Sequence, residues 1–173
     1  PIAFIAGISR AAARGIIVKS GGAIEALGRA RTVLLDKTGT LTLGQPRIDG
    51  IRTEDGRDAE ELLRLAASLD QMSTHVLAES LVASANARGI ELTLPEEVDE
   101  VPGEGILGMV DGFRLAVGTS HLIEREFGAV PPQPAAEDDR HARVYVAIDG
   151  EFAGTILLAD HLRDDAKLVE PHP

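Results

Sequence analysis

Apolar positions along this chain follow two different periods, and the change from one to the other divides it. Small and apolar residues from Ala3 to Arg14 recur at helical spacing and close on Gly15, which predicts a helix with a glycine stop. Ile16–Val18 and Thr32–Leu35 are short apolar runs that read as buried strands. The Gly21-Gly22 break and a helix over Ala23–Arg29 lie between them. Strand, helix, strand is how a doubly wound sheet begins. Past Gly44-Gln45-Pro46 the pattern changes. Arg47–Thr53 alternates like a half-exposed strand, Asp58 is placed to cap a helix over Ala59–Ser68, and Val76–Arg88 predicts another helix that stops at Gly89. Three strand-like segments follow, Glu97–Val101, Ile106–Val110 and Phe113–Val117, the last two joined by Asp111-Gly112, a tight-turn pair. Thr119 or Ser120 can cap a helix over His121–Phe127. Gly128–His141, with its prolines and acidic run, reads as a mobile surface loop. Arg143–Ile148 and Glu151–Leu158 form a second hairpin around Asp149-Gly150, and Asp164–Val169 is helical again.

This order predicts an α/β protein: part of a doubly wound domain, interrupted by an α+β unit of antiparallel sheet and helices. The insertion is entered near Gly44 and left near Ala159, and two neighbouring crossings of that kind make a natural hinge. Asp36 follows the Thr32–Leu35 strand, at the sheet edge where open α/β folds bind ligands. A carboxylate held in line with a charge-neutralised γ-phosphate can accept a phosphoryl group. Around it, Lys37 adds positive charge, Gly39 lets the backbone turn closely about a phosphate, and the hydroxyls of Thr38, Thr40 and Thr42 can donate to its oxygens.

Asp36-Lys37-Thr38-Gly39-Thr40-Leu41-Thr42 resembles the phosphorylation motif of P-type ATPases, whose Asp becomes an aspartyl-phosphate during ion transport. The resemblance implies a partial haloacid-dehalogenase-like phosphorylation domain with an inserted nucleotide-binding domain. It makes Asp36 the phosphoryl acceptor, assisted by Lys37, Thr38 and Thr40. ATP and Mg²⁺ are the implied cofactors, with the Asp36 carboxylate and the Thr38 carbonyl as Mg²⁺ ligands, too few for a full octahedral site. Phosphatases of the same superfamily resemble the pattern Asp-x-Asp, whose second carboxylate serves as acid and base. Thr38 stands at that position here, so water should attack a phosphorylated Asp36 slowly.

A net charge of −11 and the acidic pI argue against a nucleic-acid partner. The absence of cysteine removes disulfides and thiolate metal sites. No stretch approaches the roughly 20 apolar residues of a membrane span. Yet Pro1–Ile8 is apolar and runs into Arg10 and Arg14, as at the cytoplasmic end of a spanning helix. Gly7–Gly22 resembles the segment joining membrane helices to the phosphorylation domain in heavy-metal P-type ATPases. The implied organisation is a membrane-proximal helix over 1–15, the first part of the phosphorylation domain over 16–44, the nucleotide-binding domain over 45–158 and re-entry into the phosphorylation domain over 159–173. The implied setting is the cytoplasmic side of a multi-pass bacterial membrane protein. Its partners would be ATP, the transported cation and the membrane, actuator and remaining phosphorylation domains of the same polypeptide.

Aromatic residues are scarce, so a histidine at a helix start is the natural platform for adenine. Ser73-Thr74-His75-Val76-Leu77-Ala78 resembles the family's Ser-Glu-His-Pro-Leu-Ala, in which the His contacts adenine. Thr74 and Val76 depart from it, and loss of the Glu predicts weaker adenine selectivity. Gly103 and Gly105 resemble the family's Gly-x-Gly, and Val117-Gly118-Thr119 its Val-Gly-Asn, with Thr119 in place of Asn. Asp160 and Arg163 keep an Asp-x-x-Arg spacing that lets Arg163 reach a phosphate or pin the hinge. On these residues the chain by itself binds nucleotide weakly without turnover. A phosphatase with a large cap and a non-catalytic nucleotide-binding module stay open as alternatives.

Overall fold

The computed structural model describes residues 2–54, 56–132, 141–163 and 166, with the backbone alone at 37 and 38. Two compact units result, Pro1–Leu35 and Asp36–Pro173. In the first, α1 (Ile2–Ala12) and α2 (Gly21–Arg29) meet where the Phe4 ring lies over Gly21, so closely that a Cβ there would be 2.6 Å from it. Gly15, at φ +75°, follows α1 as the sequence predicts. The runs Ile16–Val18 and Thr32–Leu35 do not form strands, and Ile17 and Leu34 are 90% and 94% exposed. A parallel strand exists only through the ladder its neighbours supply. Among the described residues none pairs with either run.

The second unit is built on a six-stranded antiparallel sheet in the order β1-β6-β5-β4-β3-β2. Its strands are β1 (Arg47–Thr53), β2 (Glu96–Val101), β3 (Gly105–Val110), β4 (Phe113–Gly118), β5 (Ala142–Ile148) and β6 (Glu151–Ala159). Both Asp-Gly turns take the positive φ that their composition requires, at Asp111-Gly112 and at Asp149-Gly150. Side chains alternate across the central strands. Leu115 and Val117 of β4, with Val144 and Val146 of β5, face α3 (Ala59–Asp70) and α4 (Val76–Ala87), where Leu62, Leu69 and Leu81 close the main core. The intervening Ala116, Tyr145 and Ala147 face Ile123 and Phe127 of α5 (Ser120–Phe127) on the other side. The edge strand β2 is acidic and almost wholly exposed, a composition that discourages pairing with another chain.

The helices α3, α4 and α5 each start where a side chain satisfies one of their open N–H groups. Asp58 Oδ1 accepts from Glu60 N at 2.8 Å, His75 Nδ1 from Leu77 N at 3.2 Å, and Thr119 Oγ1 from Leu122 N at 3.2 Å. The two crossings into the sheet lie side by side, as an isolated antiparallel bridge between Thr42 and Leu162. Leu43 N donates to His161 O at 3.3 Å and Arg163 N to Leu41 O at 2.9 Å. The predicted loop Gly128–His141 lies largely, and the helix Asp164–Val169 almost entirely, outside the described residues.

Candidate functional site

Asp36 opens the second unit, its side chain exposed, immediately before a single π-helical turn over Lys37–Leu41. Gly39 sits in that turn at φ +76°, and Thr40 is exposed. The side chains of Lys37 and Thr38 lie outside the described residues. Thr42, expected to offer its hydroxyl to phosphate, is 1% exposed, and its O–H is donated to Asp160 Oδ2 while its oxygen accepts from Gly39 N at 3.2 Å. Thr42 therefore fastens the turn after Asp36 to the returning chain. Asp160 Oδ1 is buried there and has no hydrogen-bond partner among the described residues. Arg163 stands at the same crossing.

A cleft opens where the α3–α4 connection faces the ends of β2, β3, β4 and β5, and five of the sequence-predicted residues line it: His75, Gly103, Gly105, Gly118 and Thr119. Arg163 is not among its lining residues. The capping bond at Nδ1 makes that nitrogen the acceptor, so neutral His75 carries its proton on Nε2. The turn holding His75 is in turn fixed by Ser73, whose hydroxyl accepts from His75 N at 3.2 Å and donates to Glu100 Oε1 at 2.9 Å.

The three glycines differ in what they make room for. Gly105 and Gly118 are paired across β3 and β4. A Cβ on Gly105 would meet Val117 O at 2.2 Å, and one on Gly118 would meet Glu104 O at 2.2 Å. Their missing side chains thus serve the protein's own backbone contact. Gly103, at φ +77°, lines the cleft and has nothing within 4 Å of where its Cβ would stand. Thr119 holds the turn from the other side. Its N donates to Glu104 O at 2.7 Å, and Glu104 accepts from Arg125 Nη1 at 2.6 Å.

Three lining residues were not singled out from the sequence: Asp70, Glu100 and Arg143. Asp70, the last residue of α3, is 6% exposed. Burial, and secondarily the charge of Glu100, push its carboxyl pKa up to about 7. The sequence signal for it was faint, an acid five residues before His75 at the end of an apolar helix. It restores to the cleft a carboxyl group that Thr74 had seemed to remove. Among the described residues no group of three or more His, Cys, Asp or Glu side chains could hold a metal ion. Asp36 and the Thr38 carbonyl alone do not make a Mg²⁺ site.

The architecture is α/β, a six-stranded antiparallel sheet with helices on it, entered and left through neighbouring crossings. Residues 30–169 match the family model described as haloacid dehalogenase-like hydrolase, and the chain belongs to that family. Its relatives over nearly its whole length are named as metal-transporting P-type ATPases. It is 37% identical to copper-transporting ATPase 1 of Rhizobium meliloti (strain 1021) over 95% of this chain and 20% of that one. Among solved structures it is similar to a zinc-transporting PIB-type ATPase, at 34% identity and a TM-score of 0.77, covering 94% of this chain and 27% of the other. It is also similar to the N-domain of a copper-transporting P-type ATPase, at 25% identity and a TM-score of 0.55, covering 66% of this chain and 98% of that domain. The chain thus spans about a fifth of the length of the curated relative it matches. No helix among the described residues is long and apolar enough to cross a membrane.

Proposed function

We propose that this chain is the ATP-binding and phosphoryl-accepting region of a heavy-metal-transporting P-type ATPase, working on the cytoplasmic side of a membrane protein. The observation that carries the reading is the cleft, which gathers His75, Gly103 and Thr119 from separate elements around open space next to buried carboxyl Asp70. In this reading the base enters between His75 and the Gly103 backbone, with Asp70 at its polar edge. The triphosphate extends toward solvent, and movement about the Thr42–Leu162 bridge brings the γ-phosphate to Asp36. An Asp36 carboxylate oxygen then bonds to the γ-phosphorus as the bond to the β–γ bridging oxygen breaks, and ADP departs with that electron pair. When bound, Mg²⁺ would neutralise phosphate charge; its remaining ligands are not supplied by the described residues.

Thr38 at the place of a phosphatase's second acid leaves the acyl phosphate without a general base, so it would persist through a conformational change. The chain by itself binds nucleotide weakly and does not turn it over, and the transported cation, copper or zinc in the named relatives, is bound elsewhere in the whole protein. The test is an NMR titration of this chain with ATP. Backbone amides of His75, Gly103 and Thr119 are expected to shift together, and His75→Ala to weaken the response at least several-fold. Shifts confined to other surfaces would overturn the reading.

A further inference from the structure

The cleft is uneven in charge along the end of the sheet that it crosses. Its lining draws on four neighbouring strands in the order β2-β3-β4-β5. Carboxyl groups stand at the β2 side, Glu100 on that strand and Asp70 at the end of α3. Glu104, on the turn between β2 and β3, is acidic as well, but it accepts from Arg125 Nη1 at 2.6 Å. At the β5 side stands half-buried Arg143, the one lysine or arginine among the described lining residues. Strand register fixes its place in the chain. Arg143 pairs with Leu157 of β6, three residues before Asp160, the residue that holds Thr42. Those three steps are roughly 10 Å along a strand, whereas Glu100 lies three strand spacings to the other side, roughly 14 Å. Arg143 is therefore on the wall of the cleft nearest the crossing that leads back to Asp36.

Resting on the nucleotide reading above, we propose that Arg143 is the phosphate-binding residue of the cleft, taking the α- and β-phosphates of the bound nucleotide and directing the rest toward the hinge. A nucleoside triphosphate is a polyanion, and this chain carries a net charge of −11, so no general field draws it in. The lining has to supply positive charge locally, and Arg143 is where it does so. A guanidinium is always charged, and its planar fork matches two phosphate oxygens at once. Partial withdrawal from bulk water strengthens such a contact relative to one on an open surface. The two sides of the cleft then suit the two ends of the ligand. An uncharged base tolerates the carboxyl groups near β2, and the phosphates lie toward β5, one strand from the chain that returns to the Thr42–Leu162 bridge. The reverse placement would set the phosphates against Glu100 and Asp70.

The test is an NMR titration of this chain with adenosine, ADP and ATP at fixed pH and ionic strength. Wild type is expected to bind ADP and ATP more tightly than adenosine, with the Arg143 Nε–H resonance moving only for the two phosphorylated ligands. Arg143→Gln should weaken ADP and ATP about tenfold, the loss of one charge-assisted contact, and leave adenosine unchanged. Arg143→Lys, which keeps the charge without the fork, should recover part of that loss. Added salt should weaken ATP binding to wild type more than to Arg143→Gln. A residue that merely shapes the strand end would instead weaken all three ligands by the same factor. That result, or ATP affinity unchanged in Arg143→Gln, overturns the proposal while the shifts at His75 and Gly103 keep the nucleotide reading intact. Wild-type protein that shows no ATP-induced shifts at His75 and Gly103 overturns the nucleotide reading itself.

Discussion

Replacing Gly105 by alanine puts a methyl group where the structure has backbone. The added Cβ would lie 2.2 Å from Val117 O, 2.6 Å from the Gly118 Cα and 2.8 Å from Leu122 Cδ2. The first two are main-chain atoms of the paired strand, so relief requires opening the β3–β4 ladder at its Gly105–Gly118 rung. Overpacking of this kind costs about 1–3 kcal/mol. The φ of +147° adds strain, of order 1–3 kcal/mol for a side-chain-bearing residue. A loss of about 2–6 kcal/mol would be a large share of a domain's stability. Gly103→Ala is the control on the same turn. It meets no atom within 4 Å and pays only for φ +77°, about 1–2 kcal/mol. Urea denaturation followed by circular dichroism should therefore show a large drop in midpoint for Gly105→Ala and a small one for Gly103→Ala. ATP titration should show the reverse order once folded protein is compared, because Gly103 is the glycine of the cleft lining whose space the backbone pairing does not use. A Gly105→Ala protein with the wild-type midpoint would refute the account of the paired glycines.

Asp70 carries a second prediction, on stability. Its folded-state pKa of about 7 lies above the ordinary 3.8, so between those values the unfolded chain has released the proton while the folded one retains it. Stability contributed by this site is thus fully present below pH 4 and is lost as pH rises toward about 7, a few kcal/mol at about 1.4 kcal/mol per unit. Denaturation of Asp70→Asn and wild type should show the variant gaining relative stability from pH 4 to pH 8, and a constant difference would count against a neutral Asp70. Thr119→Ala removes the α5 cap at Leu122 N and should cost about 1 kcal/mol in the same assay.

Elements whose signals are local were legible in the chain. The helices after Asp58, His75 and Thr119 start at residues whose side chains can accept from the first turn, and the two Asp-Gly turns fixed the register of β3–β4 and β5–β6. The antiparallel character of the inserted sheet followed from those hairpins. What the pattern could not give was anything settled by distant partners. Ile16–Val18 and Thr32–Leu35 have strand-like composition, but a parallel strand depends on neighbours far away in sequence, and none among the described residues pairs with them. Thr42 looked like a phosphate ligand because of its motif, and its use by Asp160 comes from a contact spanning 118 positions. Gly105 and Gly118 looked alike to Gly103, and only their pairing shows that they serve the backbone. Asp70 was hidden for a related reason: at the end of a helix it reads as a solvated acid, and its burial is imposed by elements contributed from β2 to β5.

The central claim is that Asp36 receives the γ-phosphate of ATP. The most direct measurement incubates the intact polypeptide containing this chain with γ-labelled ATP, Mg²⁺ and copper or zinc, quenches in acid and maps the label. The account predicts an acid-stable, hydroxylamine-sensitive phosphate on Asp36 that is absent from Asp36→Asn. Label carried by another residue, or an Asp36→Asn protein that is labelled like the wild type, would contradict it.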